Sequence, residues 1–224
     1  GEALLAPGFV DVQVNGIEGV DFARAEADEI AGVLSLLADR GVTRCLPTLV
    51  SAPLDSYIPA LARCKAAGAG GVHLEGPFLG GAPGAHPPDL LCTADLAWLT
   101  DLLDRFGDLI RLVTLAPEAD PGLVATRTLV ERGVTVALGH STATYAEARA
   151  AADAGARLVT HLFNGMGPLH HREPGLPGAA LTDRRLVPTV IADFVHVHPA
   201  VVQLVVTARP DAVLVSDTVG AVDV

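Results

Sequence analysis

Four residues far apart in the chain, Glu75, His140, His161 and Asp217, have the side-chain types of a hydrolytic metal centre. Neutral imidazole nitrogens and a carboxylate oxygen suit Zn²⁺ or a related divalent ion, and a catalytic site of this kind keeps one position open for water. A further carboxylate, here Asp217, can take a proton from the attacking water and return it to the leaving group. Each of the four closes an apolar run, and other polar residues lie in or at the ends of similar runs: Asp11-Val-Gln13-Val-Asn15, His73-Leu-Glu75, Glu118, Asn164 and Asp193. Taken singly, a strand-end His is more often a packing residue than a ligand, and a strand-end Asp or Glu often caps the next helix. Convergence reverses that balance for Glu75, His140 and His161. Asp11, Gln13 and Asn15 could equally line the mouth of a barrel, and Glu118 reads as either a support for the site or a helix-start charge. His170, His171 and His198 read as exposed.

Such convergence needs elements that bring distant strand ends to one place. Eight short β-branched-rich runs lie near residues 9–15, 42–49, 71–76, 111–117, 134–140, 157–163, 187–193 and 212–217. Most alternate with Ala- and Leu-rich helical segments near 26–40, 54–67, 94–105, 121–132, 144–154 and 198–208, with Asp28, Thr93 and Thr142 or Thr144 as start signals. Eight strand-helix alternations in 224 residues favour an α/β fold of the (β/α)8 TIM-barrel type, whose active sites lie at the C-terminal strand ends. The alternative, a doubly wound open sheet, lacks support because no Gly-rich phosphate loop follows any strand. The segments 79–92 and 164–182, rich in Gly, Pro and His, read as long substrate-binding loops.

Composition excludes other classes. A formal net charge of −11 argues against a nucleic-acid footprint, which requires clustered Lys and Arg. No uninterrupted apolar run is long enough to span a membrane, and no basic leader is evident. The chain therefore reads as cytoplasmic. Cys45, Cys64 and Cys92 form no C-x-x-C motif, and three cysteines fit a reducing compartment better than a disulfide framework. Residues 1–224 read as one hydrolase barrel domain, expected to be incomplete at both termini.

Six motifs in order carry a resemblance: Pro7-Gly-Phe-Val-Asp11-Val-Gln-Val-Asn-Gly16, His73-Leu-Glu-Gly-Pro-Phe78, Leu115-Ala-Pro-Glu118, Gly139-His-Ser141, Thr160-His-Leu-Phe-Asn164 and His171-Arg-Glu-Pro-Gly175. Together they resemble the N-acetylglucosamine-6-phosphate deacetylase family of the amidohydrolase superfamily. The resemblance implies a barrel, a small β-sandwich domain largely absent from this chain, a homodimer, and hydrolysis of the substrate's acetamide to glucosamine 6-phosphate and acetate. It implies Glu75, His140 and His161 as metal ligands, Asp217 as acid/base, and His86 as the group that polarises the substrate carbonyl. Asn164, Gly165, Arg172 and His196 are implied as sugar- and phosphate-binding groups, with Arg172 reaching a neighbouring subunit's site. Many amidohydrolases carry H-x-H on strand one. Gln13-Val-Asn15 stands there in this chain, which implies one divalent ion, Zn²⁺ ahead of Fe²⁺.

Departures from the family pattern leave the N-acyl substrate open. Phe194 follows Asp193 where the family usually has Gly, Pro83 replaces a lysine, and Gly165 and Gly167 flank Met166 where Ala-Met-Pro is usual. A different N-acyl sugar is one alternative expectation, and a non-catalytic binding paralogue is another.

Overall fold

The computed structural model describes residues 6–220. Eight parallel strands form one sheet: β1 (Phe9–Val14), β2 (Val42–Val50), β3 (Val72–Glu75), β4 (Ile110–Leu115), β5 (Thr135–Leu138), β6 (Leu158–Val159), β7 (Val187–Ile191) and β8 (Val213–Val215), each beside its sequence neighbour. Seven helices connect them: α1 (Ala27–Asp39), α2 (Tyr57–Ala66), α3 (Leu96–Phe106), α4 (Val124–Glu131), α5 (Tyr145–Asp153), α6 (Gly175–Thr182) and α7 (Pro199–Ala208). The last strand returns to the first. Asp217 N–H donates to Gln13 O at 3.0 Å and Asn15 N–H to Thr218 O at 2.8 Å, which closes the barrel at its C-terminal mouth. No β-sandwich is present among the described residues.

Strand pleating sorts the side chains. Val72, Leu74, Val113, Leu115, Val136 and Leu138 join an apolar cluster that includes the helix residues Leu61, Leu99, Leu102 and Leu129, so this parity faces the helical ring. The opposite parity carries polar groups into the barrel. His73 Nε2 lies 2.7 Å from Thr114 Oγ1, which lies 2.7 Å from Thr160 Oγ1, and Thr48 Oγ1 accepts from Val14 N–H at 3.0 Å. This buried hydrogen-bonded layer forms a floor beneath the mouth. Burial lowers the His73 pKa to about 4, so the floor holds a neutral imidazole.

Two of the three expected start signals lie two residues from the observed cap. Glu26, in a capping box with Glu29, starts α1 instead of Asp28, and Asp95 instead of Thr93 caps α3 through Ala97 and Trp98 N–H. Thr144 is the cap of α5, in a box with Glu147. The expected loop at 164–182 is corrected in part, because its second half is α6. Pro174, Gly175, Pro177 and Gly178 read as loop residues, yet a proline in the first helical turn loses no intrahelical bond. Burial of Gly175 through Ala180 also removes the amphipathic period by which helices are recognised.

Candidate active site

The mouth gathers the expected residues from separate strand ends. Glu75 closes β3, His140 follows β5, His161 follows β6 and Asp217 follows β8, and all four line one cavity of about 650 Å³ with His86, His196 and Asn15. Glu75 Oε1, His140 Nε2 and His161 Nε2 lie 3.1 Å from one another on all three sides. Ligands at ordinary Zn–N and Zn–O lengths around a tetrahedral ion are about 3.3 Å apart, so this triangle fits one small cation. A looser grouping within 4.8 Å joins Glu75 and His140 to His86. In that grouping His86 Nδ1 already bonds Ser51 Oγ at 2.9 Å, and its Nε2 is 3.9 Å from Glu75 Oε2.

Hydrogen bonding around the triangle also favours a cation. His140 Nδ1–H donates to Ala82 O at 3.3 Å, while His161 Nδ1 is buried without a partner. Two facing ring nitrogens and a carboxylate oxygen cannot all be satisfied by each other's protons. Burial opposes charge on Glu75, but bonds from His140 and His161 outweigh it and hold the carboxyl well below its usual range. Burial likewise opposes charge on His161, and Glu75, with Asp217, raises its pKa. Gln13 Nε2–H donates to Glu75 Oε1 at 2.9 Å, so the strand-one amide braces the carboxylate.

The other polar groups divide by position. Burial and the nearby Glu75 charge push the Asp217 pKa up to about 6, while Asn15 Nδ2–H donates to its Oδ1 at 2.7 Å. Burial lowers the His86 pKa to about 4. With Ser51 N–H and Oγ at Nδ1, the His86 Nε2–H is left as a donor toward the cavity. His196 reaches the cavity and is held by Asp193, whose Oδ2 lies 2.7 Å from Nδ1. Asn164, Gly165 and Arg172 are not among the residues lining that cavity. Asn164 Nδ2–H instead donates to His161 O at 3.2 Å, Gly165 O accepts from Ser141 N–H, and Arg172 is exposed beside His170.

Sequence reasoning missed three contributors. Ser51 orients His86, and the cavity is bordered by Asp21, at the end of a hairpin, Gly16–Ile17 with Val20–Asp21, too short to leave a periodic signal, and by Arg24 in the turn after it. Arg24 is loosely paired with Asp21 at 3.8 Å and is 89% exposed. Burial pushes the Cys45 and Cys64 thiols up to about 11, so these two behave as packing residues.

The chain is 43% identical to a Danio rerio N-acetylglucosamine-6-phosphate deacetylase over 239 residues, 97% of this chain. Over that span it is homologous to N-acetylglucosamine-6-phosphate deacetylases. An N-acetylgalactosamine-6-phosphate deacetylase of Escherichia coli O157:H7 is 42% identical over 97% of this chain and 60% of its own length. Among solved structures, a Mycobacterium smegmatis N-acetyl-D-glucosamine-6-phosphate deacetylase variant in complex with N-acetyl-D-glucosamine-6-phosphate superposes with a TM-score of 0.89. It is 38% identical, across 95% of this chain and 57% of that one. The chain spans 59% of the length of the Danio rerio deacetylase. No protein-family model matches the chain.

Proposed function

We propose that the barrel hydrolyses the acetamide of an N-acetyl amino-sugar 6-phosphate, with N-acetylglucosamine 6-phosphate as first substrate, releasing acetate and the free amine. The observation that supports this reading most is the triangle of Glu75 Oε1, His140 Nε2 and His161 Nε2, 3.1 Å on each side, opening on the cavity that also holds Asp217. In this reading those three residues hold one divalent ion, Zn²⁺ ahead of Fe²⁺. When bound, the ion would supply Lewis acidity, acidifying water and polarising the amide carbonyl.

This chain's own groups do the rest. Asp217, held by Asn15, takes a proton from the attacking water and passes it to the departing amine nitrogen. His86 stays neutral and donates Nε2–H to the carbonyl oxygen as negative charge grows there, where a fixed donor counts most. His196, braced by Asp193, binds the sugar from the β7 side. In the proposed assembly, a homodimer, Asn164 and the Gly165 backbone complete the sugar-phosphate site, and the exposed Arg172 serves the site of a second subunit. Its planar guanidinium suits a phosphate. Residues 1–224 act as one hydrolase domain. The three unpaired cysteines fit a cytoplasmic setting, and no helix among the described residues is long and apolar enough to cross a membrane.

Acetate release from the 6-phosphates of N-acetylglucosamine and N-acetylgalactosamine tests the reading, because specificity is the ratio of the two kcat/KM values. The glucosamine form is expected to give the larger value. Equal, undetectable release by metal-loaded wild type and Asp217→Asn would end the hydrolase proposal. Elemental analysis identifies the ion, and light scattering gives the subunit count.

A further inference from the structure

Glu118 follows β4 and sits outside the ion triangle, yet its carboxylate ties together the two segments that hold His140. Oε2 accepts from Ser141 Oγ at 2.6 Å, and Oε1 accepts from Thr142 N–H at 2.7 Å, Thr142 Oγ1 at 3.3 Å and Gly81 N–H at 3.2 Å. The Gly80–Ala82 segment grips His140 in turn. Gly80 N–H donates to His140 O at 2.8 Å, and Ala82 O accepts from His140 Nδ1–H at 3.3 Å. The approach is too close for side chains: a Cβ on Gly80 would lie 2.1 Å from Glu118 Oε1, and one on Gly81 would lie 2.6 Å from Thr142 Oγ1. His140 itself has a backbone φ of +49°, a left-handed conformation that a non-glycine residue adopts only under constraint from its surroundings.

We propose that Glu118 is a positioning residue for ion binding: by clamping Gly81 to Ser141 and Thr142, it holds Ala82 O against Nδ1 of His140 and so aims Nε2 at the ion. A carbonyl bonded to the second ring nitrogen fixes a ligating histidine's tautomer and direction, and loss of such support typically weakens metal affinity about 10- to 100-fold. The inference rests on His140 being an ion ligand.

The test is Zn²⁺ affinity of the full chain, measured by chelator competition and read beside the melting temperature of the metal-free protein. Glu118→Ala is expected to weaken Zn²⁺ binding about 10- to 100-fold. Glu118→Gln should bind close to wild type, because its carbonyl can still accept from Gly81 and Thr142 and its amide can donate to Ser141 Oγ. Thr144→Ala, which removes the nearby α5 cap, should lower the melting temperature and leave affinity unchanged. If Glu118→Ala does not fold, Ser141→Ala, which removes the Oε2 partner together with the acceptor of Ala143 N–H, is read in its place and should weaken binding severalfold. Wild-type affinity in the variant read, equal weakening by Thr144→Ala, or a Glu118→Gln defect as large as that of Glu118→Ala would overturn the proposal. Wild type binding no Zn²⁺ at all would overturn it together with the ligand assignment, an outcome distinct from the other three.

Discussion

Asp217 can act as a base only when ionised, and in the metal-free protein burial and Glu75 raise its pKa to about 6. A cation held by Glu75, His140 and His161 favours the charged carboxylate, so the acid limb of kcat/KM should lie below pH 6 and vanish with the activity in Asp217→Asn. Rate loss in that variant is expected at about 10²- to 10⁴-fold. Stability carries the opposite sign. A carboxyl with a folded-state pKa above its unfolded value disfavours the folded state once it ionises. Metal-free Asp217→Asn should therefore melt above wild type at pH 7, with the difference shrinking as pH falls from about 6 toward 4. A difference independent of pH would count against the raised pKa. Arg24 belongs to the same scale. It is the cation among the residues lining the cavity, so Arg24→Ala should raise KM for a phosphorylated substrate about tenfold, as loss of a charge-assisted bond of 1.5–3 kcal/mol allows, with little change in kcat. An unphosphorylated N-acetyl sugar should not sense the change.

At the scale of elements, α6 and α7 are joined by Arg209. Its side chain is buried, donating to the carbonyls of Ala180, Asp183 and Leu186 and pairing with Asp211 at 2.8 Å. Those carbonyls end α6 and lead into β7, so one buried guanidinium satisfies the inner side of the turn. Arg209→Met keeps the aliphatic stem and strands the carbonyls, which should cost about 3 kcal/mol or more by denaturant titration. A loss below about 1 kcal/mol would show that the turn finds other donors. The left-handed strand ends are a second feature at this scale. His140, His161 and Asp217 have φ of +49°, +29° and +50°, and this bend after each strand turns its side chain into the mouth. Each such residue stores on the order of 1–3 kcal/mol, which the closed barrel sustains.

For the whole molecule, ion binding and folding should be linked. An ion that binds only the assembled triangle stabilises by about 2.7 kcal/mol at a hundredfold excess over its Kd. For a chain of this size that corresponds to a rise in Tm of about 5–10 °C. Chelation should reverse it. Chelation that leaves Tm unchanged would count against a site formed by residues from three strands.

The sequence by itself determined the alternation of strands and helices and the ordered motifs, because apolar periodicity and clustered strand-end polar residues are local properties. It therefore located the eight strands and the strand ends at which Glu75, His140, His161 and Asp217 stand. The 3.1 Å triangle, the left-handed strand ends and the grip of Ala82 O on His140 were decided by the tertiary structure, since each depends on barrel closure bringing distant segments within bonding distance. Glu118 shows the boundary most clearly. Its sequence context allowed either a support for the site or a helix-start charge, and its hydrogen bonds run to Gly81, Ser141 and Thr142, contacts with no local signature. Helix α6 was hidden for the opposite reason: complete burial erases the polar face by which a helix is read.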